Sequence, residues 1–251
     1  MFKKFAFAAC AAVAFTATLS SAALARDLLR VGTEPTFAPF EFLDTETKQY
    51  SGFDMDLIRA VADKAGYDVE ILNMGFDALI PALKTKTIDV IAAGLSITEE
   101  RAKRVDFTKP YYTSGISMIV RQADAEKFAT FANLEDQRLA VQIGTTGADY
   151  AKGIKNAKVQ SFNTTSEAFL DLQSGNAAAV VMDRPVLAYF LKTQPKAGKS
   201  LKLQSEIMDA QSYGFAVDKG NTELLNKLNK AYDELVASGE AKKIHDKWFA
   251  E

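Results

Sequence analysis

Polar side chains stand at the ends of the apolar strands that this sequence predicts. Gly94, Ser96 and Arg101 come at or just after the apolar stretch 88–95. Other apolar stretches end in the same way, at Glu34, Gln142, Thr145, Thr146 and Asp183. Ligands of open α/β sheets bind outside the carboxyl ends of the strands. Because such residues occur in both halves of the chain, they predict a shared binding cleft.

Each of these residues also has a purely structural interpretation. Thr98 and Asp183 stand where the N-caps of two predicted helices belong. Arg101 would then pair on the surface with Glu99 or Asp106. The recurrence of polar residues at several strand ends favours the cleft over these separate explanations.

Few residues suit covalent, metal or cofactor chemistry. The single cysteine is Cys10, and the single histidine, His245, stands among charged residues that predict a solvated helix face. Neither a phosphate-binding loop nor a glycine-rich dinucleotide motif occurs, and there is no His/Cys set with metal-ligand spacing. The sequence therefore predicts neither an enzyme nor a cofactor or metal site.

The first 25 residues have the features of a cleaved signal peptide. Lys3 and Lys4 precede an apolar stretch that ends in the small residues Ala23-Leu24-Ala25. These lysines are the only charges in residues 1–25, so 30 basic residues less two leave 28, against 32 acidic residues. We expect an exported, mildly acidic protein that does not bind nucleic acid.

Apolar periodicity predicts two α/β blocks. In the first block, the predicted strands are 28–33, 68–74 and 88–95, and the predicted helices are 52–66, 76–86 and 98–104. After a strand-like stretch at 105–122, the second block has predicted strands at 138–144, 157–162 and 177–183 and helices at 146–154, 164–175 and 184–194. Two more strand-like segments and two helices separated at Gly239 follow. Alternation of this kind predicts parallel sheets covered by helices.

Extended segments near 111–115 and 209–213 suggest that the chain crosses twice between two lobes. We expect one lobe to comprise 26–110 and 214–251, the other 116–208, and the crossings to act as a hinge. The C-terminal helices would then pack on the first lobe. Periodicity alone also allows a single doubly wound domain.

Five segments together resemble a known family. They are TEPTFAPFEF, GFDMDL, IPALKTKTIDVIAAGLSITEERAKRVDFTKPYY, AVQIGTTGADYA and VVMD. In this order they resemble the periplasmic binding proteins for polar amino acids, among them the glutamine-, arginine-, histidine- and lysine/arginine/ornithine-binding proteins of ABC importers. The resemblance implies a type II periplasmic-binding-protein fold and a monomer. It also implies a periplasmic location, with the permease and ATPase subunits of the importer as partners.

The resemblance also implies roles for particular residues. Arg101 would bind the ligand's α-carboxylate through its planar guanidinium, together with backbone amides near Ser96 and Thr146. Asp183 would bind the α-ammonium, assisted by the Gly94 carbonyl and the Ser96 hydroxyl. The remaining positions would contact the ligand's side chain: Phe37 and Phe76 by packing, Glu34 and Gln142 by polar contacts.

The sequence leaves the identity of the ligand open. Glu34 has no evident cationic partner, because Gln142 stands where glutamine-binding members carry lysine. The unpaired charge of Glu34 favours arginine or lysine as the ligand, yet the side-chain amide of glutamine would also satisfy both residues. An alternative is a dehydratase of cyclic dienyl acids, with Glu34 as general acid. A binding protein that signals to a receptor is a third possibility.

Overall fold

The computed structural model describes residues 26–250, so the predicted signal peptide lies outside the described residues. Two lobes are present, each built on its own sheet. The first sheet has five strands, in the order Tyr67–Asn73, Asp27–Thr33, Val90–Ile91, Ala216–Asp218 and Val105–Phe107. The second has six, in the order Lys158–Phe162, Arg138–Gln142, Ala179–Asp183, Tyr112–Arg121 and Leu201–Leu203, with Met208–Tyr213 also paired to Tyr112–Arg121. Among the residues described, no helix combines the length and apolarity that crossing a membrane requires.

The first lobe begins with alternating strands and helices. Its elements are β1 (Asp27–Thr33), β2 (Thr36–Phe37), β3 (Glu41–Leu43), β4 (Tyr50–Ser51), α1 (Phe53–Ala65), β5 (Tyr67–Asn73), α2 (Leu79–Lys84), β6 (Val90–Ile91), α3 (Glu99–Ala102) and β7 (Val105–Phe107). β1 runs parallel to both β5 and β6. The carboxyl ends of β1 and β6 therefore meet at one edge of the sheet, and Glu34 and Gly94 follow them there.

The second lobe repeats this arrangement. Its elements are β8 (Tyr112–Arg121), β9 (Arg138–Gln142), α4 (Thr146–Lys152), β10 (Lys158–Phe162), α5 (Thr165–Gln173), β11 (Ala179–Asp183), α6 (Arg184–Thr193), α7 (Pro195–Ser200) and β12 (Leu201–Leu203). β9 runs parallel to β10 and β11, so Gln142 and Asp183 end neighbouring strands at one edge.

The chain passes between the lobes on a pair of antiparallel strands. β13 (Met208–Tyr213) pairs with the start of β8, with Tyr213 opposite Tyr112. The register shifts between Met208 and Gln211, and Asp209 has a φ of 45°. The predicted extended segments 111–115 and 209–213 thus lie side by side.

The C-terminal part of the chain returns to the first lobe. It comprises β14 (Ala216–Asp218), α8 (Thr222–Ser238) and α9 (Glu240–Phe249). β14 lies between β6 and β7, and α9 is fixed to α1 because Trp248 Nε1 and Lys247 Nζ donate to Asp56 at 2.8 and 2.7 Å. The C-terminal helices therefore lie against the elements of the first sheet.

Several details differ from the expectations. β6 has two residues instead of eight, because the chain leaves the sheet and Gly94 adopts a φ of 52°. The small sheet β2-β3-β4 and helix α7 were not predicted. His245 is half-buried instead of solvated: its ring packs edge-on against Phe53 and stacks on Tyr112.

Candidate functional site

Helix α3 presents Arg101 to the cleft between the lobes. Thr98 is its N-cap, and the Thr98 Oγ1 accepts a hydrogen bond from the Arg101 amide at 3.2 Å. Glu99 and Glu100 occupy the first turn, where the helix dipole favours negative charge. The predicted cap is confirmed, and it fixes the backbone from which the Arg101 side chain extends.

The Arg101 guanidinium lies between the two lobes. Its Nη1 donates to the Ser96 carbonyl at 2.9 Å, and its Nη2 donates to the Gly144 carbonyl of the other lobe at 3.0 Å. The guanidinium also lies over the Phe76 ring, 5.5 Å from its centroid. Burial lowers the pKa of Arg101, while the negative charge of Asp183 raises it. Since a guanidinium has five N–H donors, the two carbonyls leave three for a ligand.

The start of helix α4 lies close to this guanidinium. Thr145 is its N-cap: its Oγ1 accepts from the Ala148 amide at 3.1 Å and donates to the Gln142 carbonyl at 2.8 Å. Thr146 is the first helical residue, two positions after the carbonyl that Arg101 contacts. The fold therefore brings Arg101 and Thr146 into one region although they belong to different lobes.

Asp183 lies at the end of β11 and is 4% exposed. It holds the N-cap position of α6, as predicted, but its carboxylate does not bond the helix. Instead its Oδ1 accepts from Ser114 Oγ at 2.9 Å. Burial raises the pKa of Asp183, and both its hydrogen bonds and the charge of Arg101 oppose that rise. The carboxylate is thus kept free of the helix end.

Glu34 and Gln142 meet across the two lobes. Gln142 Nε2 donates to Glu34 Oε2 at 2.7 Å, and Thr36 Oγ1 donates to the same oxygen at 2.8 Å. Glu34 is 4% exposed, and within residues 26–250 no cationic side chain forms an ion pair with it. Burial raises the pKa of Glu34, and the bonds from Thr36 and Gln142 lower it. Gln142 Oε1 is buried and has no hydrogen-bond partner among the described residues.

Gly94, Ser96 and two aromatic rings complete the set. A Cβ at Gly94 would lie 2.9 Å from Phe37 Cε1, so with its positive φ this position requires glycine. Ser96 is 2% exposed and bridges to the backbone of Tyr213. Phe37 is buried, whereas Phe76 is partly buried beneath Arg101. Each of the nine site residues predicted from the sequence therefore lies at or near the interface between the lobes.

Two buried acids beside this site were not predicted from the sequence. Glu41 is fully buried, and neither of its carboxylate oxygens has a hydrogen-bond partner among the described residues. Asp54 is also fully buried, and it accepts hydrogen bonds from Gly94 and Tyr111. A charge placed within the apolar segments PFEF and GFD was the only sequence signal for them.

The lobes are in contact in this structure. Hydrogen bonds join Arg101 to Gly144 and Gln142 to Glu34, and two further bonds join Thr165 to Thr36. In each of these bonds the donor belongs to one lobe and the acceptor to the other. The structure therefore represents a closed arrangement of the two lobes.

The model of the family described as bacterial extracellular solute-binding proteins, family 3, matches residues 29–251 of the chain. The chain is a member of this family. ABC transporter arginine-binding protein 1 of Escherichia coli strain K12 is 33% identical to this family 3 protein over 241 residues, which cover 94% of this chain and 96% of that protein.

Solved structures extend the comparison. An ancestral arginine-binding protein bound to arginine is 43% identical with a TM-score of 0.85, covering 90% of this chain and 99% of that one. An ancestral arginine-binding protein bound to glutamine is 43% identical with a TM-score of 0.83, covering 90% of this chain and 100% of that one. The ancestral amino acid-binding protein AncCDT-1, a precursor of cyclohexadienyl dehydratase, is 39% identical with a TM-score of 0.81, covering 88% and 95%. These similarities agree with the two-lobed fold of the family 3 protein.

The buried position of Glu41 leads to a prediction about stability. Burial, and then the neighbouring charge of Asp54, raise the pKa of Glu41 well above its ordinary value. The folded state therefore favours the protonated acid. The contribution of protonated Glu41 to the free energy of unfolding is complete below the ordinary carboxyl pKa of about 4.3 and is lost as the pH rises through the raised pKa of the folded state. We expect Glu41→Gln to increase the free energy of unfolding at pH 8 by at least about 1 kcal/mol.

Chemical denaturation at pH 5 and pH 8 measures this effect. The gain from Glu41→Gln should be smaller at pH 5, where less of the ionisation cost remains. Glu46→Gln is the control, because Glu46 is an exposed acid in the turn before β4. Equal gains at the two pH values would show that ionisation of Glu41 has no part in the stability.

Proposed function

We propose that this protein captures a cationic L-amino acid, arginine above all, between its lobes and delivers it to the membrane subunits of an ABC importer. The buried carboxylate of Glu34 carries this proposal. It has no cationic partner among residues 26–250, and a buried unpaired carboxylate is destabilising by several kcal/mol. A guanidinium or ammonium on the ligand's side chain would neutralise it.

The neighbouring groups support a guanidinium. Gln142 Oε1 is a buried acceptor without a partner in residues 26–250, and it belongs to the side chain that already contacts Glu34. A guanidinium has five donors in a planar arrangement, enough for the carboxylate and the amide oxygen together. A lysine ammonium would neutralise Glu34 equally well, but its donors all lie on one nitrogen, so it is less suited to reach Glu34 and Gln142 Oε1 together.

The other end of the ligand would bind at Arg101 and Asp183. Arg101 has three N–H donors beyond those that bond Ser96 and Gly144, and these would bind the α-carboxylate together with the amide of Thr146 at the start of α4. Asp183 carries a buried carboxylate suited to the α-ammonium, which the Gly94 carbonyl and the Ser96 hydroxyl would also contact. Because these groups come from both lobes, a zwitterion would hold the lobes together.

Glutamine is the second candidate. Its side-chain amide would donate to Glu34 and accept from Gln142, which satisfies both groups without adding charge. Ancestral arginine-binding proteins similar to this chain have been solved bound to arginine and bound to glutamine. Arginine and glutamine differ in charge, and of these two ligands only arginine would neutralise the carboxylate of Glu34.

Ligand capture would proceed by hinge closure. In this proposal residues 26–110 and 214–251 move against 116–208 about the strand pair 111–115 and 209–213. The register shift in β13 supports this proposal, because it interrupts the ladder between β13 and β8, and a bulged strand bends at such a point. The protein would act outside the cytoplasm as a monomer, with residues 1–25 as its export signal.

Titration calorimetry against a panel of amino acids tests the ligand. The protein is first freed of bound amino acids by unfolding and refolding, and then titrated with arginine, lysine, histidine, glutamine and citrulline. Citrulline has nearly the shape of arginine without its charge, so we expect it to bind at least about 30-fold more weakly, as for loss of a buried charge pair. Equal affinity for arginine and citrulline would overturn the charge argument.

We infer that the protein binds its ligand without chemical turnover. Glu34, the candidate general acid for a dehydratase, already accepts hydrogen bonds from Thr36 and Gln142. Its raised pKa would nevertheless suit an acid, so the alternative has a direct test. Incubation with prephenate or arogenate should yield no aromatic product, whereas product that disappears in Glu34→Gln would establish the enzyme.

A further inference from the structure

Asp54 contacts both the ligand cleft and the strand that leaves the first lobe. It is the second residue of α1 and is fully buried. Its Oδ2 accepts from the Gly94 amide at 2.8 Å and from the Tyr111 hydroxyl at 2.5 Å. One carboxylate oxygen thus joins three separate parts of the chain: helix α1, the turn after β6 and the segment before β8.

The Gly94 side of this contact belongs to the binding site. Gly94 has a φ of 52° and is enclosed by Phe37 and Tyr213, which lie 2.9 and 3.5 Å from the position a Cβ would take. Ser96 and Arg101 follow in the same segment. The hydrogen bond to Asp54 therefore fixes the direction of the backbone that leads into the site.

The Tyr111 side belongs to the proposed hinge. Tyr111 is the first residue of the segment 111–115, and its amide donates to the Tyr213 carbonyl at 3.0 Å. Its ring packs on Phe215 with centroids 4.5 Å apart. Asp54 thus gives the hinge strand and the binding-site turn one common hydrogen-bond acceptor.

We propose that Asp54 is a positioning residue that couples the binding-site turn at Gly94 to the hinge strand at Tyr111. This proposal rests on the proposed function, because it assumes that a ligand binds beside Gly94 and that the lobes close on it. Asp54 itself does not need to contact the ligand. Its effect would reach the ligand through the orientation of Gly94 and through the position of Tyr111.

The ionisation of Asp54 gives the proposal an independent signal. Burial raises the pKa of Asp54 to about 7, against the opposing effects of the Tyr111 and Gly94 hydrogen bonds. Glu41 and Tyr111 are titratable groups that interact with it. Burial also raises the pKa values of Glu34 and Asp183 in the same site, so the comparison with Asp54→Asn isolates the part of the pH dependence that comes from Asp54. Since an ionised carboxylate is the stronger acceptor, we expect arginine affinity to fall as the pH is lowered from 8 to 5.5.

The test compares arginine affinity across this pH range for native protein and variants. At pH 8, Asp54→Ala and Tyr111→Phe should each weaken binding by about 5- to 30-fold, the range for loss of a buried hydrogen bond. Asp54→Asn keeps an oxygen acceptor, so it should stay within about 3-fold of the native protein while its affinity varies less with pH. Combining Asp54→Ala with Tyr111→Phe should add little to the stronger single effect.

Asp63→Asn serves as the control, because Asp63 is an exposed acid of the same helix and should keep the native affinity and pH profile. Thermal unfolding of each variant identifies loss of fold, and Asp54→Asn and Tyr111→Phe still decide the question if Asp54→Ala does not fold. Native affinity in Tyr111→Phe together with a native pH profile in Asp54→Asn would overturn the coupling alone. A native protein that binds no amino acid of the panel would overturn the proposed function and the coupling with it.

Discussion

Replacement of Arg101 by alanine is expected to weaken arginine binding at least about 30-fold. The guanidinium lies between the lobes, where two backbone carbonyls orient it and three donors remain for the ligand's carboxylate. Loss of one partner of a buried charge pair typically reduces binding by about 2–5 kcal/mol, and about 2 kcal/mol corresponds to 30-fold. Titration calorimetry of the refolded, ligand-free protein measures the change.

Two further substitutions separate the shape of Arg101 from its charge. Arg101→Lys keeps the charge but loses the planar fork, so we expect it to recover only part of the affinity. Arg104→Ala removes an exposed arginine three residues further along the chain and should bind like the native protein. An unchanged affinity in Arg101→Ala would show that the carboxylate binds elsewhere.

Replacement of Glu34 by glutamine is expected to remove most of the preference for arginine over uncharged ligands. Arginine should lose at least about 30-fold in affinity, because its guanidinium would be buried without a counter-charge. Glutamine and citrulline, which add no charge at this end, should stay within about 3-fold of their native affinity. The ratio of arginine to citrulline affinity, measured in both proteins, is the quantity that reports the Glu34 charge.

Gln142→Lys provides the complementary test. Gln142 Nε2 already contacts Glu34 at 2.7 Å, so a lysine there would place an ammonium near the same carboxylate. We expect this variant to bind arginine more weakly and glutamine at least as well as the native protein. If both Glu34→Gln and Gln142→Lys left the ratio of arginine affinity to citrulline affinity unchanged, Glu34 and Gln142 would not discriminate between ligands by charge.

Much of the scaffold follows from local sequence signals. Thr98 caps α3, and Gly239 separates the last two helices in a left-handed conformation, both as predicted. Thr164 and Glu167 form a reciprocal capping box, and Gly66 ends α1 in a left-handed conformation. These features depend on residues within one turn of each other, so neighbours in the sequence are sufficient to specify them. The same holds for the polar residues that follow the apolar strands.

Longer-range features needed the tertiary structure. The sequence predicted that Glu34 and Gln142 would both face the ligand, but 108 positions separate them, and only the closed lobes reveal their direct hydrogen bond. In the sequence, Asp54 has the pattern of an ordinary acid in the first turn of a helix. Its burial, and its bonds to residues 40 and 57 positions away, depend on how α1 packs beneath the cleft.

Motifs in the sequence were sufficient to predict an α/β protein, its resemblance to the amino-acid-binding proteins of ABC importers, and the polar residues at its strand ends. Which acids are buried, where β6 ends, and the bond of Asp183 to Ser114 in place of a cap on α6 became known only from the folded structure. The physical reason is that strand and helix signals act over a few residues. The charge balance of a cleft is set by burial and by partners from distant segments.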